Sequence, residues 1–225
     1  MLAKREPNVE ERILQSAKRL FFDRGVSRTP LRAIAMDVGT SESGILRFFH
    51  DKHDLVGAVA GLCWDEVYDY IVEALRARHV CSHDPRVELL EVMQAVLEHA
   101  EANRATVSFL VDHFHYRVAA GLDTAALARH EARWDGYTQY RRMIEQLCMR
   151  ILNENPGLRA AGITYLGLCN LTLCLIYGAS GGWRLSEANP LVHGEKVPIE
   201  DILAVLRKVI YKNGPSTDDA TDRRC

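Results

Sequence analysis

Glu42, Ser43 and Arg47 stand within two helical turns of one another, shortly before Lys52. Together they offer what base edges and phosphates require. A carboxylate at Glu42 can accept from a cytosine amino group. The Ser43 hydroxyl serves either sense of hydrogen bond, and the Arg47 guanidinium reaches a guanine edge or a phosphate. Lys52 brings a point charge suited to a phosphate, at the start of a helix whose free amides favour the same anion. Any one of these charges is equally at home as a solvated surface residue, so the argument rests on the set.

A second cluster, Asp112-His113-Phe114-His115, invites a metal or catalytic reading. On a helix His113 and His115 lie roughly 200° apart and cannot easily grip one ion. Asp112 and His115 share a face, but two ligands are too few for a metal site. No HExxH, paired ExxH, P-loop or nucleophile elbow is present. No catalytic residue, metal or cofactor is expected, and the histidines are read as lining or capping an internal cavity. Trp134, Tyr137 and Tyr140 are read as core or pocket wall.

The elements that must position Glu42 to Lys52 are short helices. Val9, Ile13, Ala17, Leu20 and Phe21 fall on one face of a 3.6-residue period. Asn8, with Glu11 three residues on, starts that helix as a capping box would, and Gly25 suits the left-handed position that ends it. Thr29-Pro30 opens a second helix, with Pro30 at its first position and Leu31, Ile34, Ala35 and Val38 as its apolar face. Gly39 allows a sharp turn. Ser41 caps a third helix with Ile45, Phe48 and Phe49 apolar, and Asp51 caps a fourth carrying Leu55, Val59, Leu62, Val67 and Ile71. Three short helices with a tight turn before the third are the layout of a helix-turn-helix, which places one helix in the major groove.

Residues 9 to 55 resemble the DNA-binding domain of TetR-family transcriptional regulators. The resemblance lies in Ile13-Leu14-Gln15-Ser16-Ala17, Leu20-Phe21 with Gly25, Thr29, Ile34-Ala35, Gly39-Thr40-Ser41, Phe48-Phe49, Lys52 and Leu55, which follow the family's pattern without a gap. Two positions depart from it. Ser43 stands where a small glycine is common, and Leu46 where the family often has a phosphate-binding tyrosine. An unreplaced charge-assisted hydrogen bond would cost roughly 1.5–3 kcal/mol of DNA affinity, though the adjacent Arg47 can supply a phosphate contact. The resemblance implies that Arg32, at the family's base-reading position in the second helix, contacts a guanine. With Ser41, Glu42, Ser43, Gly44 and Arg47 it forms the reading surface, flanked by Thr29, Phe48, His50 and Lys52 as backbone clamps.

The full chain of 225 residues is long enough for one or two domains with a real core. Its net charge of −2 excludes a generally basic nucleic-acid coat. The six cysteines form no CxxC or metal-finger spacing and, without a signal peptide, read as reduced cytosolic thiols. Residues 160–183 carry no charge and are long enough to span a bilayer, but their glycines and polar residues favour a helix buried in a protein interface. Helical stripes recur at Leu89, Met93, Val96 and Ala100; at Val107, Leu110, Val111 and Phe114; and at Tyr137, Tyr140, Ile144, Leu147 and Ile151. A last stripe runs Ile199, Ile202, Leu203, Leu206, Val209 and Ile210.

The expected fold is all-α, with about nine helices. Residues 1–55 form the three-helix reader, 56–212 a helical ligand-binding and dimerisation bundle, and 213–225 a polar, disordered tail. The resemblance implies a cytoplasmic, homodimeric repressor of operator DNA, not an enzyme, released by a small-molecule inducer. The apolar and aromatic patterning places a pocket among Leu62, Met93, Phe109, His113, Trp134, Tyr137 and Tyr177 and suggests a lipophilic inducer. The alternatives are a helical-bundle enzyme or ligand carrier with a vestigial reader, and an interaction module without inducer control.

Overall fold

The computed structural model describes residues 8–78, 83–119, 134–172 and 198–211. Among these the chain is helical, with no strand. The helices are α1 (Val9–Arg24), α2 (Leu31–Val38), α3 (Glu42–Ile45), α4 (Lys52–Ala77), α5 (Pro85–Ala102) and α6 (Arg104–Ala119). They continue as α7 (Asp135–Glu154), α8 (Pro156–Ala160), α9 (residues 165–172) and α10 (Ile199–Ile210). The all-α reading therefore holds. The tail from 213 onward and Tyr177 lie outside the described residues. The described residues divide into two compact units, 8–66 with 105–119 and 134–137, and 67–78 with 83–104, 138–172 and 198–211.

The first unit is built on caps and a shared core. Asn8 Oδ1 accepts the Glu11 amide at 2.8 Å and starts α1. Gly25 ends α1 at φ +80° and ψ 155°, a positive-φ conformation outside the left-handed helical well, with its amide on the Phe21 carbonyl. Pro30 caps α2 from outside, at ψ 156°, so the helix begins one residue later than its proline suggested. The buried Thr29 hydroxyl donates in that turn, 2.9 Å from the Gly25 carbonyl and 3.2 Å from that of Leu20. Gly39 ends α2 in the left-handed conformation, and the Thr40 amide returns to the Ala35 carbonyl at 2.9 Å.

Ile13, Ala17, Leu20, Phe21, Ile34, Ala35, Val38, Ile45, Phe49, Leu55, Val56 and Val59 bury together. Phe109 and Trp134 complete this core. Val9, expected on the packed face of α1, is exposed because the first residue of the helix overhangs it. On α6 the buried face is Thr106, Phe109 and His113, whereas Val107, Leu110 and Val111 are only half-buried. The aromatic rings define this face: Phe109 lies 6.1 Å from Phe21 and 5.5 Å from Phe22. Trp134 donates its indole N–H to the Gly57 carbonyl at 2.8 Å, and the Gly136 amide donates to Asp65 Oδ1 at 2.8 Å.

In the second unit Asp84 caps α5, accepting the Arg86 amide at 2.9 Å. The Arg86 guanidinium pairs with Asp84 at 2.8 Å and lies over the Tyr211 ring. α10 packs on α5 through a buried face of Ile202, Leu203, Leu206 and Ile210. Arg150 of α7 pairs with Glu88 of α5 at 2.9 Å. Leu89, Met93, Val96 and Ala100 are buried, as are Tyr140, Ile144, Leu147 and Ile151. No helix among the described residues is long and apolar enough to cross a membrane.

Candidate nucleic-acid interface

The turn that should face DNA is set by α3 and its flanks. Ser41 Oγ accepts the Gly44 amide at 3.1 Å and lies 2.9 Å from the Ser43 hydroxyl. α3 is shorter than its apolar pattern suggested. After Ile45 the chain turns, with the Phe48 amide reaching the Ile45 carbonyl at 2.9 Å, three residues back. Ile45 and Phe49, four residues apart, take the core, and Phe48, off that face, is exposed instead of apolar core.

The next cap locks this turn to α4. Asp51 Oδ1 accepts the Asp54 amide at 2.8 Å, and Asp54 Oδ2 accepts the His50 amide at 2.9 Å. Burial pushes the Asp51 carboxyl up. The Asp54 amide, the His50 hydrogen bond and the charges of His53 and His50 outweigh it and hold Asp51 below its usual range.

The predicted contacts fall into two groups. Arg32, Glu42 and Arg47 are exposed, and among the described residues their side chains make no hydrogen bond or ion pair. Phe48 is also exposed, and His50 projects outward with its Nδ1 3.1 Å from Asp51. The others are committed to the fold. Thr29 is fully buried and holds the α1–α2 turn. Ser41 and Ser43 share their hydroxyls, and Gly44 is a steric necessity, because a Cβ there would lie 2.3 Å from Thr40 Oγ1. Lys52 Nζ donates to the Val26 carbonyl at 2.7 Å, and its partial burial lowers the ammonium's pKa.

Several other basic groups nearby also work within the unit. Lys18 pairs with Glu66 at 2.6 Å, Arg19 with Asp37 at 2.6 Å, and Arg12 donates to the Val38 carbonyl at 2.6 Å. Ser16 and Arg19 together hold the Asp37 carboxyl below its usual range. Leu46, singled out in the sequence as a departure from the family's pattern, is exposed, and sequence reasoning missed a second exposed apolar side chain of the helix-turn-helix, Met36. The available signal was their offset from the buried Ile34–Ala35–Val38 and Ile45–Phe49 positions.

Of the predicted pocket residues, Phe109, His113, Trp134 and Tyr137 form a run of ring contacts in the first unit. His113 lies 6.3 Å from Phe109 and 5.4 Å from Trp134, which lies 5.7 Å from Tyr137. Leu62 is half-buried in the same unit, and Met93 is fully buried in the second. Among the described residues no group of three or more His, Cys, Asp or Glu side chains is placed to hold a metal.

Residues 13–59 match the family of bacterial regulatory proteins of the tetR family. No curated protein matches the chain. Solved structures share the fold across nearly the whole length. A TetR family transcription regulator from Marinobacter aquaeolei VT8 is 17% identical, with TM-score 0.55, over 90% of this chain and 93% of that one. The transcriptional regulator FadR from Bacillus subtilis, in complex with stearoyl-CoA, is 10% identical, with TM-score 0.61, over 88% and 97%. AibR, in complex with isovaleryl coenzyme A and operator DNA, is 16% identical, with TM-score 0.56, over 89% and 97%.

Proposed function

We infer that this chain, whose residues 13–59 are a TetR-family DNA-binding domain within a TetR-type regulator fold, is a ligand-responsive transcriptional repressor. It acts as a homodimer on a palindromic operator and leaves it when a small molecule binds. The observation that carries this reading is the surface of the helix-turn-helix. Arg32 on α2, and Glu42 and Arg47 on a turn fixed by the Ser41, Asp51 and Asp54 caps, stand exposed with their side chains unpaired among the described residues. A rigid turn presenting unpaired donors and acceptors is what base readout needs.

Arg32 and Arg47 reach guanine edges or phosphates, and Glu42 accepts from cytosine. Phe48 and His50 lie against the backbone. Lys52 joins them where the first amides of α4 face a phosphate, giving up its bond to Val26. Residues 1–55 carry the reading, and 56–212 the ligand response and dimerisation. Two readers in one dimer meet successive major grooves about 34 Å apart, so a ligand that favours a conformer with another spacing releases the operator. The ligand carries an apolar portion, with Phe109, His113, Trp134, Tyr137 and Leu62 as candidate contacts for it. Acyl-CoA thioesters are the first compounds to screen, because two proteins of this fold are solved with them.

Selection of bound sequences from random duplex DNA, followed by salt titration of the winners, tests the reading. A palindrome with half-sites one helical turn apart, whose log affinity falls linearly with log salt, is expected. Recovery of no sequence, with weak binding to all DNA, overturns it.

A further inference from the structure

In the recognition turn most side chains are already in use. Ile45 and Phe49 are in the core, Ser41 and Ser43 share a hydrogen bond at 2.9 Å, and Gly44 has no room for a side chain beside Thr40. What remains at the surface is Glu42, Leu46, Arg47 and Phe48. Leu46 is 45% exposed, although its backbone continues the helical turn at φ −65° and ψ −7°. It follows Glu42 by four residues, so the two side chains share one face.

An isobutyl group on that face can neither donate nor accept. In the major groove one feature of a base edge suits it, the C5-methyl group of thymine. A carboxylate one turn away limits the alternatives, because Glu42 repels the phosphates that Leu46 cannot bind. We propose that Leu46 reads a thymine methyl in each operator half-site and so sets part of the sequence specificity. This rests on the DNA-binding reading above.

The test uses the full-length protein and the selected operator. Each thymine of one half-site is replaced in turn by deoxyuridine, which keeps the base pair and removes only the methyl. One position is expected to lose about fourfold in affinity, the worth of one buried methyl group. Leu46→Ala, which loses the contact in both half-sites, is expected to bind the parent operator about sixteenfold more weakly than the wild type, about fourfold for each contact, and to be indifferent to the replacement. Met36→Ala, on an exposed residue of α2, should keep the wild-type sensitivity.

Three results overturn the proposal while leaving sequence-specific binding intact. These are no thymine position sensitive to methyl loss, sensitivity unchanged in Leu46→Ala, or sensitivity abolished by Phe48→Ala and not by Leu46→Ala. A selection that recovers no sequence overturns both this proposal and the reading beneath it.

Discussion

Gly136→Ala is expected to destabilise the protein severely for so small a change. A Cβ at this position would lie 2.5 Å from the Trp64 carbonyl oxygen and 2.7 Å from both the Asp65 Cα and its amide nitrogen. All three are backbone atoms, so no side chain can rotate away. Overpacking of this kind costs about 1–3 kcal/mol, and the rigid neighbours place this case at the upper end. Moving the start of α7 away would stretch two 2.8 Å hydrogen bonds, Gly136 to Asp65 and Trp134 to the Gly57 carbonyl. Each is worth about 1 kcal/mol. Alanine returns about 1 kcal/mol through its better helix propensity. The net loss is about 3–4 kcal/mol, which for a chain of this size lowers Tm by roughly 6–15 °C. Far-ultraviolet circular dichroism melts at one fixed protein concentration measure it. A Tm equal to or above the wild type would refute the reasoning, because it would mean that residue 136 does not abut the α4 backbone.

Asp54→Ala leaves the His50 amide without its acceptor and removes half of the α4 cap, so a loss of about 1–2 kcal/mol is expected in urea unfolding, with weaker operator binding. Arg32→Ala is expected to lower affinity for the operator and not for random DNA, whereas Lys52→Ala lowers both; equal loss of specificity in a competition assay would remove that division of roles. Acid should unfold the protein through Asp37, Asp51 and Asp84, each held below its usual pKa. In Asp84 burial acts upward, and the hydrogen bonds and charge of Arg86 outweigh it. Their stabilisation is complete above the unfolded carboxyl value of about 3.9 and disappears as pH falls through the lower folded values. Stability measured across this range should therefore fall less steeply with acid in Asp84→Asn, from a lower starting point.

Much of the reader was legible because its signals are local. A cap, a glycine at a helix end and a 3.6-residue apolar period are each decided within a few residues. Asn8, Gly39, Ser41 and Asp51 accordingly do in the structure what their positions suggested. The errors fall where tertiary neighbours decide. Nothing local in Val107, Leu110 and Val111 says that α6 turns Phe109 inward instead, because that face is chosen by Phe21 and Phe22 of a helix eighty-odd positions earlier. Thr29 looked like a phosphate clamp, yet its hydroxyl is taken by carbonyls exposed at the end of α1. Gly136 was invisible, since only the approach of Trp64 and Asp65 makes its missing side chain matter.

The same commitments limit how this domain can hold DNA. A count of basic residues overstates the charge on offer, because many of these groups are spent within the fold. Arg12, Lys18, Arg19 and Arg28 are each bonded to a carbonyl or carboxylate of the same unit. Arg24 lies in the last turn of α1, at the negative end of the helix dipole. That leaves Arg32 and Arg47 as the unpaired guanidiniums of α2 and the recognition turn. In the proposed dimer, two or three phosphate contacts per subunit, from Arg47, Lys52 and the turn around them, would release few counterions, and the expected slope of log affinity against log salt is modest, about −4 to −5. Sequence-blind attraction of that size is weak. The discrimination must then come from base edges, and the exposed side chains of the recognition turn are of that kind: a carboxylate at Glu42, a guanidinium at Arg47 and an apolar group at Leu46.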